Sequence, residues 1–150
     1  MTEPGNTSVT IVLADDDEDD RLMTREAVTA NRLTNPLHEV HDGVELLEYL
    51  KKQLDDGAPL PGLILLDLNM PRMDGREALA AIKSNDQLRH IPVVVLTTSQ
   101  ADEDIFRTYD LGVNSFISKP VTFTGLVDVM HDLGHYWLQM VQLPPVQPRQ

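Results

Sequence analysis

Cysteine is absent from this 150-residue chain, and that absence excludes several kinds of protein. Without thiols the chain can form no disulfide scaffold, no thiolate zinc site and no cysteine nucleophile, and a cytoplasmic location becomes the expectation. Long apolar runs are also absent, because the longest apolar stretches have only the length of strands. We therefore expect no segment that spans a membrane. The polar residues 1–8 lack the basic start and apolar core of a secretion signal.

Basic residues are scarce. The chain has 12 Lys and Arg against 24 Asp and Glu, which gives a formal net charge of −12. Such an acidic surface repels nucleic acid and anionic membranes unless a local basic patch compensates, and the sequence shows no such patch. Neither nucleic acid nor a membrane is therefore an expected partner.

Apolar runs alternate with amphipathic segments along the chain, whose length suits one domain. Runs without polar alternation predict strands buried on both faces at 9–14, 63–66 and 91–96, with weaker strand candidates at 37–41 and 115–118. Helical periodicity predicts helices at 19–31, 44–54, 76–83, 101–111 and 122–141. This alternation predicts an α/β fold, a doubly wound parallel sheet of five strands with helices on both faces.

The predicted domain occupies residues 9–143, between a flexible N-terminus at 1–8 and a proline-rich tail at 144–150. Within it, the stretch 55–62 is rich in Gly and Pro and is expected to be a surface loop. The first helix is expected to place Leu22, Met23, Ala27 and Val28 along one apolar face.

Polar residues follow four of the predicted strands, and in open α/β sheets ligands bind beyond the carboxyl ends of the strands. These residues are Asp15 and Asp16, Asp67, Thr97 and Lys119. Three carboxylates in one crevice repel one another, so either one keeps a proton or a cation lies among them, and all-oxygen ligands favour Mg²⁺. Ammonium, hydroxyl and metal together suit the outer oxygens of a phosphoryl group. The remaining carboxylate, Asp67, is then the predicted nucleophile.

Each of these residues also has an ordinary structural explanation. The run Asp15 to Asp20 could be the acidic start of a helix, and we assign Asp17 to Asp20 to that role. Asp67 alone could cap a turn, Thr97 could be a strand residue, and Lys119 could be a surface lysine. Their joint occurrence at successive strand ends favours a site.

Four stretches make the sequence similar to a known family. They are IVLADD at 11–16, LILLDLNMPRMDG at 63–75, PVVVLTTS at 92–99 and SFISKP at 115–120. These stretches resemble the receiver domain of bacterial two-component response regulators, and the resemblance extends from about residue 9 to about residue 141. It implies a flavodoxin-like fold with the strand order 2-1-3-4-5.

The resemblance also implies a role for each site residue. Asp67 would be the phosphorylated residue, and Asp16 would be a direct Mg²⁺ ligand. Asp15 would hold a metal-bound water, and Asn69 would offer its backbone carbonyl to the metal.

The resemblance also implies roles for residues that contact the phosphoryl group or change conformation on activation. Thr97 would contact the phosphoryl group, and Lys119, expected to precede a cis bond to Pro120, would pair with a phosphoryl oxygen. Phe116 would turn inward on activation. Thr98 is larger than the residue often found there, which suggests slow loss of the phosphoryl group.

Most response regulators carry an output domain after the receiver, whereas here a proline-rich tail follows. The expected output is contact with a downstream protein or relay to a phosphotransfer protein. On the last predicted helix, Val129, Tyr136 and Met140 form a second apolar stripe, which predicts a homodimer. Alternatively, these residues cover the core of an extended domain.

The long loop before Asp67 and the segment YWLQMVQLPP at 136–145 resemble stand-alone receivers paired with phytochrome-type histidine kinases. The rival interpretation is a phosphatase of the haloacid-dehalogenase type. Such an enzyme needs a second aspartate two residues after the nucleophile as general acid, and this chain has Asn69 there. We therefore expect a phosphoacceptor switch rather than an enzyme. A pseudo-receiver that only binds a partner is the remaining alternative.

Overall fold

Five strands and four helices alternate along the described part of the chain in this computed structural model. The structure describes residues 10–31, 35–68, 70, 72–73, 75–97, 115–118 and 122–133, of which 96, 97 and 115–118 are described by their backbone alone. The strands are β1 (Ile11–Ala14), β2 (Leu37–Val40), β3 (Leu63–Leu66), β4 (Val93–Thr97) and β5 (Ser115–Ser118). The helices are α1 (Glu18–Ala30), α2 (Gly43–Asp56), α3 (Gly75–Lys83) and α4 (Phe123–Leu133).

All five strands are parallel and form one sheet with the order β2-β1-β3-β4-β5. The predicted strand order is therefore confirmed. From β1 the chain adds β2 on one side of the sheet and then β3, β4 and β5 on the other. The strand order therefore reverses between β1 and β3. In this fold class, that reversal opens a crevice at the carboxyl ends of the strands.

Each face of the sheet has its own apolar core, because successive side chains of a strand point to opposite faces. One face packs against α2 and α3 through residues such as Val12, Ile64, Leu66 and Val95. The other packs against α1 and α4 through Ile11, Leu13, Leu63, Leu65 and Val94. These strand residues are at most 3 % exposed, which confirms the prediction of strands buried on both faces.

Local capping fixes where the helices begin and end. The Asp17 carboxylate accepts hydrogen bonds from the backbone N–H groups of Asp19 and Asp20 at the start of α1. The Asp42 carboxylate accepts a hydrogen bond from the backbone N–H of Glu45 at the start of α2. At the other end of α2 the capping residue is Gly57, which has the left-handed conformation with φ 66°. α2 therefore takes two residues from the loop predicted at 55–62.

The first helix turns a different face inward from the one predicted. Leu22 is 41 % exposed, whereas Arg21 and Thr24 are buried beside Ala27 and Val28. The prediction of an inward Leu22 is wrong because the Arg21 guanidinium reaches two partners, which draws its side chain towards the sheet.

Some predictions concern residues outside the described ranges. The helix predicted at 101–111 lies among them, as does the last helix beyond Leu133. Within the described residues, no helix combines the length and the hydropathy that a bilayer crossing needs.

Candidate functional site

The register of the central strands brings Asp15 and Asp67 side by side. β1 and β3 pair with Ala14 opposite Leu66, so the next residue of each strand carries a carboxylate at the same edge of the sheet. The backbone N–H of Asp67 donates to the Ala14 carbonyl at 2.9 Å, and the N–H of Asp15 donates to the Val40 carbonyl at 3.1 Å. Both aspartates are thus held in line with the sheet, at the point where its strand order reverses.

Asp15, Asp16 and Asp67 form one carboxylate cluster. Each offers an oxygen, and the three oxygens lie within 4.8 Å of one another. Asp15 and Asp67 are 2 % and 8 % exposed, whereas Asp16 is exposed. The cluster therefore has a buried floor and one side open to solvent, an arrangement that can admit a small ligand or ion. We call it the carboxylate cluster below.

The loop after β1 is held by Asp15 and Arg21. The Asp15 carboxylate accepts a hydrogen bond from the backbone N–H of Asp17 at 3.0 Å, and the Asp15 carbonyl accepts one from Arg21 Nη1 at 2.7 Å. Arg21 Nε also lies 3.2 Å from Glu39 on β2. Asp17, Glu18, Asp19 and Asp20 cap α1 or form its first turn, which confirms the assignment of that part of the acidic run to the helix start.

The loop after β3 is attached to the start of α2. Arg72 donates two hydrogen bonds to the Asp42 carboxylate, from Nε at 2.8 Å and from Nη2 at 3.2 Å. The backbone N–H of Gly43 donates to the Met73 carbonyl at 2.9 Å. At the end of this loop a side chain on Gly75 would clash with the Asp67 carbonyl oxygen, so only glycine fits there.

The two arginines and their partners Glu39 and Asp42 were not predicted from the sequence as parts of the site. A spacing pattern does not reveal them, because each contact joins residues from different elements. The Arg72 guanidinium also holds the pKa of the Asp42 carboxyl below its usual range, against the opposing effect of burial.

The other predicted site residues are only partly described. The backbone of Thr97 ends β4, and Phe116 lies in β5, so both strands run to the same edge of the sheet as Asp67. Asn69, Thr98 and Lys119, with the predicted cis bond to Pro120, lie outside the described residues. Of the predicted dimer residues, Tyr136 and Met140 also lie outside them.

Val129 is half-buried and packs against the core between α1, α4 and the sheet. The domain itself therefore covers part of the Val129 side chain, and the role of Val129 in a dimer stays a prediction.

The donor set of the carboxylate cluster fits a hard divalent cation. Mg²⁺ takes oxygen ligands at roughly 2.0–2.1 Å, so two ligands on opposite sides of the ion are about 4.2 Å apart. Oxygens that lie within 4.8 Å of one another need at most a small closure to reach that distance. A cation there would also relieve the repulsion between three neighbouring carboxylates.

A parallel sheet with this strand order and a crevice at its switch point defines the flavodoxin-like class of doubly wound α/β proteins. Comparison with known proteins narrows this class. The family model described as "Response regulator receiver domain" matches residues 11–131. The chain therefore belongs to the response regulator receiver domain family.

Individual relatives agree with the family match. The chain is 37% identical to the response regulator Rcp1 of Synechocystis sp. over 145 residues, covering 96% of this chain and 99% of Rcp1. It superposes on the phosphorylated cyanobacterial phytochrome response regulator RcpA with a TM-score of 0.81 at 40% identity, covering 89% of this chain and 96% of that one. The Mn²⁺-bound form of Rcp1 gives a TM-score of 0.81 at 37% identity, covering 91% and 99%. The family match gives no support to the phosphatase alternative.

Proposed function

We propose that this receiver accepts a phosphoryl group on Asp67 from a histidine kinase, with Mg²⁺ held by the carboxylate cluster. The observation that carries the proposal is the grouping of Asp15, Asp16 and Asp67 within 4.8 Å at the switch point of the sheet. In the transfer, an Asp67 oxygen bonds to phosphorus while the bond from phosphorus to the donor imidazole nitrogen breaks. The bonding electron pair stays on that nitrogen.

The residues divide this work between them. Asp67 is held in line by its backbone hydrogen bond to Ala14, so its side chain is presented at the end of β3. Asp16 is the proposed direct metal ligand, and Asp15 holds a metal-bound water. When bound, the divalent ion neutralises negative charge on the phosphoryl oxygens.

Residues beyond the carboxylate cluster complete the proposal. The Asn69 backbone carbonyl is a further proposed metal ligand. Lys119 is proposed to pair with a phosphoryl oxygen, while Thr97, Thr98 and Phe116 are proposed to form the switch.

Phosphorylation can be tested with a small-molecule donor. Incubation with acetyl phosphate and Mg²⁺ is expected to add one phosphoryl group, measured by intact-protein mass spectrometry, because Asp67 is the proposed nucleophile and the other two carboxylates of the cluster are assigned to the metal. Asp67→Asn removes that nucleophile at nearly unchanged volume, and no phosphoryl group should be retained. The control Asp19→Asn alters an acidic residue in the first turn of α1 and should be phosphorylated normally.

Two outcomes would contradict this proposal. Phosphorylation that persists in Asp67→Asn would place the acceptor elsewhere. Continuous release of phosphate over many turnovers would favour a phosphatase.

The proposed donor is a phytochrome-type histidine kinase. RcpA is a cyanobacterial phytochrome response regulator, and it is 40% identical to this chain over the aligned residues. Phosphotransfer profiling against the histidine kinases of the source organism tests the donor, with Asp67→Asn as the control. Preferential transfer from a kinase without a phytochrome-type sensor would contradict this part of the proposal.

Further parts of the proposal rest on the sequence. The receiver domain is proposed to span residues 9–143, of which the family model matches 11–131. Its output is proposed to be a downstream protein or a phosphotransfer protein, and the cytoplasmic location stays a prediction. A homodimer through the last helix also stays a prediction, with Val129, Tyr136 and Met140 as its interface residues. A monomeric mass measured by light scattering at micromolar concentration would contradict the dimer.

A further inference from the structure

The loop between β3 and α3 is tied to a neighbouring element by an ion pair of favourable geometry. Arg72 presents Nε and Nη2 to the two oxygens of Asp42, at 2.8 and 3.2 Å. The planar guanidinium fork matches a carboxylate in this way, and such pairs fix orientation as well as distance. The Asp42 side chain is only 7% exposed, so it is an anchored partner rather than a mobile surface group.

The backbone of Arg72 supports the interpretation that the pair holds the loop. Arg72 has φ 62°, and it is the non-glycine residue with positive φ among those the structure describes. Residues other than glycine rarely adopt a positive φ, so surrounding contacts must maintain this backbone conformation. Among the described contacts of Arg72, the bidentate pair with Asp42 is one that can do so.

Asp42 is itself fixed by the start of α2. Its Oδ1 accepts a hydrogen bond from the Glu45 N–H at 2.9 Å, and the Glu45 side chain reaches back to the His41 N–H at 2.7 Å. The next residue, Gly43, donates its N–H to the Met73 carbonyl, and a Cβ on Gly43 would meet that oxygen at 2.5 Å. The helix start and the loop therefore meet at two adjoining points, one ionic and one through backbone.

The loop held in this way begins at the proposed phosphoacceptor. It runs from Asp67 to Gly75, whose N–H donates to the Leu68 carbonyl at 2.9 Å. It also contains Asn69, whose backbone carbonyl is a proposed metal ligand. Arg72 is only three residues from Asn69, so a displacement of Arg72 can move that carbonyl. Metal affinity depends strongly on the position of the ligands.

We propose that Arg72 and Asp42 act as a positioning pair that holds the β3–α3 loop in the conformation that binds the divalent cation. The inference rests on the proposed function and adds to it a contribution from outside the carboxylate cluster. Arg72 and Asp42 do not touch the phosphoryl group or the metal, so they are positioning residues and not catalytic ones.

The test compares variants that remove one feature each. Asp42→Asn keeps an oxygen that can cap α2 but removes the charge, and Arg72→Ala removes the guanidinium. Lys52→Ala is the control, because Lys52 forms an exposed ion pair with Asp56 at 2.9 Å on the same helix. Two quantities are measured: the dissociation constant for Mn²⁺, from the electron paramagnetic resonance signal of free Mn²⁺, and amide hydrogen exchange in metal-free protein.

The expected effects are moderate. Each single variant should weaken Mn²⁺ binding by about threefold to tenfold, less than the ten- to hundredfold seen for direct outer partners of metal ligands. The double variant should lose no more than the stronger single one, because both changes break the same contact. Arg72→Lys should restore only part of the affinity, since it keeps the charge without the fork.

Hydrogen exchange gives a readout that needs no metal. In both single variants the amides of Gly43 and Gly75 should exchange about two- to fivefold faster, in line with the small contribution of a partly exposed ion pair. The Lys52→Ala control should leave both amides and Mn²⁺ binding unchanged.

If wild-type protein binds Mn²⁺ and both single variants bind it with the same affinity, the positioning role is overturned. The proposed function is then left intact. Additive losses in the double variant would overturn the positioning role too. Wild-type protein that binds no Mn²⁺ would contradict the proposed function and the positioning role together.

Discussion

Two groups of acidic side chains lie at the same edge of the sheet and differ in how their charge is balanced. In the carboxylate cluster, Asp15, Asp16 and Asp67 bring three acidic side chains within 4.8 Å of one another. One loop away, Asp42 faces the opposite charge of Arg72 in a bidentate pair. Both groups include buried carboxylates, so the difference does not come from burial.

The comparison shows two uses of a buried aspartate. Asp42 has its charge balanced by the chain itself, which stabilises the folded state and lowers the pKa of its carboxyl group. In the carboxylate cluster the like charges repel, and this repulsion is reduced when a cation is bound. We therefore expect the carboxylate cluster to lower the stability of the metal-free fold and to favour binding of a cation.

The largest expected effect concerns metal affinity. Asp16→Asn removes a charged oxygen ligand from the proposed site and is expected to weaken Mg²⁺ or Mn²⁺ binding by at least about a hundredfold, more than the loss of an outer partner causes. Isothermal titration calorimetry measures the affinity. The control Asp20→Asn changes a neighbouring acidic residue in the first turn of α1 and should bind the metal normally. Equal binding by wild type and Asp16→Asn would remove Asp16 from the ligand set.

The two groups should respond with opposite signs when stability is measured without metal. Asp42→Ala removes a helix cap and the partner of a guanidinium, and we expect the free energy of unfolding to fall by about 2 kcal/mol. Asp16→Asn relieves repulsion and should raise the free energy of unfolding, by less than about 1 kcal/mol. Urea unfolding in the presence of a chelator measures both.

The exposed pair of Arg89 with Asp86 offers a control for these stability measurements, because Asp86→Asn should change the free energy of unfolding by less than about 0.5 kcal/mol. Destabilisation by Asp16→Asn would contradict the idea of repulsion in the carboxylate cluster.

The smallest expected effect is a dependence on pH. Hydrogen bonding to Arg72 is the main reason why the Asp42 pKa lies below its ordinary value of 3.8. A lowered pKa in the folded state contributes stability that is complete above 3.8 and is lost as pH falls through the lower folded-state pKa. The difference in unfolding free energy between wild type and Asp42→Asn should therefore be constant from neutral pH to about pH 5 and then shrink on acidification. A difference that grows below pH 4 would contradict this assignment.

Local patterns were sufficient to predict much of the fold. The apolar runs that became β1, β3 and β4 are buried on both faces, and the family resemblance supplied the strand order that the structure shows. Helix ends were predicted less well, since Gly43 and Asp56 extend α2 at both ends through capping contacts. Leu22 was placed inward because periodicity treats Arg21 as polar, although its long side chain can be buried when its guanidinium has partners.

The carboxylate cluster was predicted from the sequence because each member follows an apolar run, and parallel strands bring their carboxyl ends to one edge. Asp15, Asp16 and Asp67 needed no knowledge of distances beyond that rule. The pairing of Arg72 with Asp42 could not be obtained in this way. The two residues are 30 positions apart, in two loops whose approach depends on how α2 packs beside α3. The sequence by itself therefore determined which carboxylates meet, because strand ends obey a general geometric rule. Only the tertiary structure decided which charges are balanced within the chain, because that depends on the packing of one helix against one loop.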